Sequence, residues 1–476
     1  MQLSSGRGDR ARKIVLSLAL SAAMRVAALE PARTPEMRRA RALYEELVDT
    51  NTVTATGDTA RAARSMAEAL RRGGLPPEDV HVFTPAARKG DLVARLRGTG
   101  RRRPILLLAH LDVVEARRED WSTDPFKLVE KDGYFYGRGT SDDKLMAAAF
   151  ISNLLRYHEE KFMPERDIIV VLETDEETLD HDGVGIGWLL RNHRELLDAE
   201  FALNEGGGVM TKGGQAVMNV VQTSEKVPAN FLLEVRNPGG HSALPRKDNA
   251  IYRLADGLVR LSRFEFPPHP SDTTRAWFES MAALEKDPQA AADLRSVAEG
   301  DPDPATLERL SANPIYNAQL RTTCVATLLE GGHAFNALPQ IARATVNCRV
   351  LPGEAMEEVQ KKLVEVVADG EIRITPSFVH VASGPSPLSP ELLRTLVRVS
   401  GEFWPGVPVV PTMSTGATDG SFLRNAGILT YGHSGIANDV DDVRVHGRDE
   451  RVPVNSFYDA NEYLYRLVKE LAGGAF

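Results

Sequence analysis

His110 and Asp112 stand two residues apart in HLDVV, Asp142 and Asp143 are adjacent in YGRGTSDDK, Asp175, Glu176 and Glu177 are consecutive in ETDEE, and Glu205 closes FALNE. Carboxylates bunched in this way repel one another and lose hydration when buried, and divalent cations supply the compensating charge. An imidazole among carboxylates points to zinc or a similar borderline metal, because a hard cation such as calcium takes an all-oxygen shell. Asp112 lies two residues from His110, on the same side of a strand, so it is placed to accept the proton of the imidazole nitrogen that does not bind metal. Alternation along a strand sends Glu176 and Glu177 in different directions, so one can ligate while the other activates water.

The elements that must position these groups follow from the apolar pattern. PILLLAHLDVV at 104–114 and RDIIVVLETDEE at 166–177 read as strands buried on both faces, and KLMAAAFISNLLRYHEE between them reads as the helix that covers them. This βαβ pattern predicts an α/β fold with a largely parallel sheet, in which ligands bind at the strand ends. Residues 35–49 and 59–72 carry the spacing of surface helices. From about residue 222 the character changes. PANFLLEVRN alternates as a half-exposed strand does, NPGGHSALP reads as a turn, and a helix is expected at 248–263. A polar stretch rich in Asp and Pro follows near 267–314. Strands at 321–329 and 341–350 then flank GGHAFNALP, and a charged helix covers 354–368. The prediction is an inserted α+β unit with an antiparallel sheet at 222–382, between two parts of the first domain at 29–221 and 383–476.

A chain of 476 residues exceeds what one hydrophobic core usually supports, in keeping with two domains. The composition, 42% hydrophobic and 26% charged, is that of a globular protein. A net charge of -9 argues against a polyanion, so no nucleic-acid partner is expected, and Arg101, Arg102 and Arg103 read as a solvated strand entry. Cys324 and Cys348 lack the spacing of a thiolate zinc site and read as two separate buried thiols, with pairing open to an exported chain. Export is expected: Arg7, Arg10, Arg12 and Lys13 precede the apolar run IVLSLALSAAM, so residues 1–28 read as a signal peptide and the chain as periplasmic or secreted. If that segment is instead an amphipathic helix, the location is cytoplasmic. No other stretch approaches the ~18 to 20 apolar residues of a membrane span.

HLDVV, WSTDPF, DGYFYGRGTSDDK, ETDEE, NEGGG, NPGGHSALP, GGHAFNALP, CRVLPG, GATDGSF and VHGRDERVPV, in this order, resemble the co-catalytic zinc aminoacylase and carboxypeptidase family of metallopeptidases. That family includes carboxypeptidase G, carboxypeptidase S, succinyl-diaminopimelate desuccinylase and carnosinase-like dipeptidases. The resemblance runs from about residue 40 to the C-terminus. It implies a phosphorylase/aminopeptidase-like α/β domain with helices on both faces of its sheet and an inserted lid that often forms a homodimer contact. It also implies two zinc ions per chain, with cobalt or manganese as substitutes: His110 and Glu205 on one, Glu177 and His446 on the other, and Asp142 bridging them. Glu176 becomes the general base, Asp112 the orienter of His110, and the Asp142–Asp143 peptide is expected to be cis. His446 rests on the resemblance alone.

In the lid, His241 matches a histidine that reaches the substrate's scissile carbonyl, sometimes from the partner subunit. Asn336 and Arg349 match residues that hold the substrate, commonly its carboxylate, and Thr418 and Asp419 match a supporting turn. Two departures stand out: Asn204, Glu205 and Gly206 replace the more frequent Asp-Glu-Gly, and His433 reads as a loop variant. The implied activity is cleavage of a peptide or amide bond beside a free carboxylate, by a carboxypeptidase or dipeptidase. An N-acyl amino acid amidohydrolase is the alternative, and a metal-bound binding module without catalysis the remote one. A two-metal phosphate-ester hydrolase fits the ligands but not the lid motifs, and no GxxxxGK[ST] segment is present.

Overall fold

The computed structural model describes residues 34–178 and 183–473; the expected leader at 1–28 lies outside them. Its central sheet has ten strands. Ile105–His110 sits between Ile168–Glu173 and Phe201–Asn204 and is parallel to both, and Leu429–Gly432 continues the parallel run beside Phe201–Asn204. Lys89–Leu96 and Val80–Ala86 extend one side in antiparallel fashion. On the other side follow Gln215–Glu225, Val209–Lys212 and Ala437–Asp439, with Val409–Ser414 paired to Gln215–Glu225. The mixed, mostly parallel sheet expected from the βαβ pattern is present.

The alternation of side chains in the two central strands explains why both read as unbroken apolar runs. Ile105, Leu107, Ala109, Ile168, Val170 and Leu172 pack into the same core as Tyr44 and Leu47 of helix Pro35–Asp49, Leu145 and Ala149 of helix Lys144–Glu159, and Phe457 and Leu464 of helix Val454–Leu471. Leu106, Leu108, Ile169 and Val171 face the other way, against Ile186 and Leu189 of helix Gly185–Asn192 and Leu423 of helix Gly420–Asn425. A strand with helices on both faces has no polar side to show. The helices begin where their sequences provide a cap: the Thr34 hydroxyl accepts from the Met37 amide, with Pro35 at the first turn, and the Asp58 carboxylate accepts from the Arg61 amide.

A second, four-stranded sheet is wholly antiparallel, in the order Thr323–Gly331, Ile341–Val350, Val227–Arg236, Ile372–Val379. Helices Ala250–Ser262 and Met356–Val367 cover one of its faces and share its core. The polar stretch near 267–314 departs from this arrangement. It carries short helices that begin at Asp272, Pro288 and Pro304, and Trp277, Phe278, Leu294 and Leu310 bury against Met218, Val220 and Val410 of the large sheet. Trp277, Phe278, Met281 and Ala282 do recur at helical spacing, but the Asp and Pro residues between the short helices mask that pattern in a reading of the whole stretch.

The reading of Cys324 and Cys348 as separate thiols is corrected by the register. The two residues lie directly opposite each other on neighbouring antiparallel strands, with their Cα atoms 4.1 Å apart, and form a disulfide. A spacing of 24 residues says nothing of pairing until the strands are aligned. The native protein is therefore expected to show no titratable thiol until reduced. Reduction, or the pair Cys324→Ser and Cys348→Ala, should lower the unfolding free energy by ~3.5 kcal/mol, the chain-entropy value for a loop of this length. Urea unfolding with and without reductant measures this; free thiols in the denatured, unreduced chain contradict it.

Candidate metal centre

Each member of the candidate site sits at the end of an element. His110 is the last residue of its strand, and Asp142 and Asp143 lie just before helix Lys144–Glu159, whose N-terminal dipole end favours negative charge. Glu205 follows the last residue of strand Phe201–Asn204. Glu176 and Glu177 lie in the 3-10 turn Glu176–Thr178, beyond strand Ile168–Glu173. Strand alternation is therefore not what separates their side chains; the turn is. His446 occupies a loop and adopts a left-handed backbone, φ 62°.

These groups converge. Asp142 Oδ1 is 2.9 Å from His110 Nε2, and its Oδ2 is 3.1 Å from His446 Nε2. His446 Nε2 is also 3.0 Å from Glu177 Oε1, and His110 Nε2 lies 3.9 Å from Glu205 Oε2. One carboxylate thus turns an oxygen to each of two imidazoles, and each imidazole has a second carboxylate beside it. Ligand atoms of His110, Asp142 and Glu177 lie within 4.8 Å of one another, as do those of His110, Glu176 and Glu205. The Asp142–Asp143 peptide is cis.

Asp112 acts differently from the sequence reading. The nearest acceptor to His110 Nδ1 is the main-chain oxygen of Asp112, at 2.9 Å, while the nearer carboxylate oxygen stands at 3.7 Å. That carboxylate instead accepts the backbone N–H groups of Glu176, at 3.2 Å, and Glu177, at 3.1 Å. The strand ends at His110, so the chain turns and the Asp112 side chain is carried to the neighbouring strand's turn. Its backbone fixes the imidazole tautomer, leaving Nε2 for a ligand, and its side chain holds the two glutamates.

The electrostatics test whether metal fits. Burial depresses the His110 imidazole, but the hydrogen bond with Asp142 and the charge of Glu205 outweigh it and hold the group well above its ordinary range. Hydrogen bonds with Asp142 and Glu177 raise His446 to about 10. Burial, with the charges of Glu176 and Asp142, pushes Glu205 well above the usual carboxylate range. Glu176 moves the same way, through burial first and then Asp419, Glu177 and Asp142, against the pull of His110. Against its burial, hydrogen bonds with the two imidazoles lower Asp142, so these three groups hold one another charged, while Glu176 and Glu205 are driven toward the neutral form. The pocket is short of positive charge for its remaining carboxylates. Divalent ions supply it, and the nitrogen and oxygen donors suit zinc-like metals.

A layer of acid lies behind the site, of which Asp91 belongs to no motif. Asp91, raised to about 8 by burial, accepts the Thr174 amide, and Glu173, raised well above its usual range by burial and by Asp419, accepts the Ile186 amide. Asp91 in KGDLVARL looks like an ordinary strand residue. Thr418, from the expected supporting turn, donates to Glu225, which also pairs with the buried Arg424. His433 lies in the segment just past strand Leu429–Gly432 and is fully buried, between the Val220 carbonyl and the Tyr463 hydroxyl.

The lid residues form a separate group. His241 and Ala337 pair in a two-stranded ribbon, the Ser242 amide donates to the Asn336 carbonyl, and His241 Nδ1 accepts the Ala243 amide. Both His241 and Asn336 are exposed, and Arg349 is half-buried on strand Ile341–Val350. Among the described residues, no hydrogen bond or ion pair joins these three to the metal-site groups.

Residues 106–470 match the model of peptidase family M20/M25/M40. The chain is 31% identical over 385 residues to the human N-fatty-acyl-amino acid synthase/hydrolase PM20D1, covering 77% of this chain and 74% of that protein. It is 26% identical over 440 residues to human aminoacylase-1, covering 90% and 94% of the two chains. The fold resembles that of an M20 family metallo-carboxypeptidase, Sso-CP2 of Sulfolobus solfataricus, with a TM-score of 0.68 at 17% identity over 91% of this chain and 99% of that one.

The split role of Asp112 is open to measurement. Asp112→Ala keeps the main-chain acceptor of His110 but frees the Glu176–Glu177 turn, so kcat/KM is expected to fall ~10- to 100-fold. Asp112→Asn, which retains one acceptor oxygen, is expected to lose less. Equal, small losses in both variants contradict the assignment.

Proposed function

The chain belongs to the peptidase M20/M25/M40 family of metal-dependent hydrolases, and on that premise we propose that its strand-end site cleaves a peptide or amide bond beside a free carboxylate using two zinc ions. The observation that carries this reading is Asp142, with one oxygen toward His110 and the other toward His446. In this reading His110 and Glu205 hold one ion, Glu177 and His446 the other, and Asp142 both, with cobalt or manganese as substitutes. Ions held there would supply Lewis acidity, the chemistry that lowers the pKa of a water and polarises an amide carbonyl. Glu176, buried beside His110 and Glu205, takes the proton of the attacking water on its carboxylate and delivers it to the leaving nitrogen. His241 meets the developing oxyanion from the lid, and Asn336 and Arg349 hold the substrate's carboxylate. Their separation from the metal-site groups in this structure calls for lid closure before turnover.

A cavity of about 330 Å³ opens beside Asp142 and Glu205 and favours a second substrate class. Met146, Val209, Met210, Val220, Ile436 and Val445 line it, and no Lys, Arg or His is among its lining residues. An uncharged acyl group suits this space; a carboxylate does not. That supports N-acyl amino acids beside peptides as substrates.

The lid also supports a homodimer. Thr323–Gly331 is an edge strand, with Val325 61% and Leu329 70% exposed, and Tyr252 of the adjoining helix is also exposed. Unpaired apolar edges are sites of association. The disulfide fits an oxidising compartment and so supports export through residues 1–28.

Two measurements test the reading. Glu176→Ala is expected to abolish turnover of both dipeptides and N-acyl amino acids while about two metal ions per chain remain; loss of metal makes Glu176 a ligand instead. Mixing His241→Ala with Glu176→Ala chains is expected to restore part of the activity if His241 acts across a dimer. No recovery from mixed dimers places its action within one chain.

A further inference from the structure

Three motifs around the site are not used by the chemistry: WSTDPF, the GRG that precedes the bridging aspartate, and the RDE that follows His446. The fold brings them together. Strand Tyr134–Tyr136 pairs with strand Arg451–Pro453, so Arg138, just past the first, and Glu450, just before the second, become neighbours, with the Gly137 amide on the Glu450 carbonyl. Their side chains form a buried ion pair, Arg138 Nη1 to Glu450 Oε2 at 2.6 Å.

Each partner then reaches a different ligand loop. The Glu450 carboxylate accepts the backbone N–H groups of Gly139 at 3.2 Å, Ser141 at 2.8 Å and Asp142 itself at 3.3 Å. Arg138 Nη2 donates to the carbonyls of His446 at 3.3 Å and Gly447 at 3.0 Å. His446 has the left-handed backbone, a conformation sparsely used by residues with a Cβ and kept where the surroundings over-determine it. WSTDPF completes the arrangement: Trp121 lies under the Arg138 guanidinium, 5.1 Å from ring centre to Cζ, and Ser122 donates through amide and hydroxyl to Asp449.

We propose that Arg138 and Glu450 are positioning residues that set the Asp142 loop and the His446 loop in register with each other, so that the bridging carboxylate and the loop imidazole meet. The inference rests on the two-metal reading of the site. Arginine is required because its planar fork serves the carboxylate and two carbonyls at once, which the single ammonium of lysine does not. Neither residue is among the groups whose ligand atoms converge at the site. The pair acts through the backbone of the two ligand loops, and the positioning of Asp142 makes both metal positions depend on it.

The test uses cobalt as the probe, with the metal-free full chain, Arg138→Lys, Arg138→Met and the double variant Arg138→Met with Glu450→Met. The double variant removes both buried charges and so avoids the unpaired charge that a single truncation leaves. Circular dichroism selects a temperature at which each metal-free chain is folded. Cobalt affinity and the visible absorption of the bound ions are then read by titration. Two cobalt ions on the wild-type chain uphold the two-metal reading, and their absence overturns that reading whatever the variants do. With two ions on the wild type, the expected result is a ~10- to 100-fold loss of cobalt affinity in Arg138→Lys and in the double variant, with an altered absorption band. Wild-type affinity and spectrum in folded variants that differ only in melting temperature overturn the positioning role.

Discussion

Negative charge out of water is the constraint on which the rest of this structure depends. Asp142, Glu176, Glu177 and Glu205 crowd around two imidazoles, and Asp91, Asp112, Glu173 and Asp419 lie buried behind or beside them. Such a group is held together only by positive charge, by hydrogen-bond donors and by helix dipoles. The fold provides all three in part. Backbone N–H groups of Glu176 and Glu177 point at Asp112, that of Thr174 at Asp91 and that of Ile186 at Glu173, and helix Lys144–Glu159 starts just past Asp142 and Asp143. What remains is a deficit of positive charge at the centre, visible in raised imidazoles and in the raised Glu176 and Glu205, while Asp142 alone is lowered between the two imidazoles.

The sheet concentrates this charge by a simple device. Parallel strands buried on both faces have no polar side chains along their length, so polar residues gather where the strands stop. His110, the Glu176 turn and Glu205 all lie past such ends. The antiparallel units do something else. The small sheet of Tyr134–Tyr136 and Arg451–Pro453 joins the loop before the covering helix to the loop that carries His446, some 300 residues later, and the lid sheet presents His241 and Asn336 on an exposed ribbon. Scaffold, junction and lid thus contribute different kinds of order to one site.

The membership of the M20/M25/M40 family and the structure address different parts of the question. The family speaks to the class of reaction. The cavity beside Glu205, walled by Met146, Val209, Val220 and Ile436 and without a cationic side chain among its lining residues, bears on what can enter the site.

Much of this was legible in the residues alone. The runs at 104–114 and 166–177 and the helix between them were readable because burial on both faces leaves an unbroken apolar pattern, and the candidate site residues at their ends because acid and imidazole bunched there have no structural use. Pairings across long sequence separations were not readable. The Cys324–Cys348 disulfide, the helices that bury Trp277 and Phe278 on the large sheet, and the Arg138–Glu450 pair all depend on strand register or packing. Asp112 shows the division within a single residue. Its type and its distance from His110 marked it as a partner of the site, but only the turn at the strand end decided that its backbone serves the imidazole and its carboxylate the two glutamates. Local sequence determines which groups are present at an element's end. The path of the chain beyond that end determines what they touch, and that path is set by packing among elements far apart in sequence.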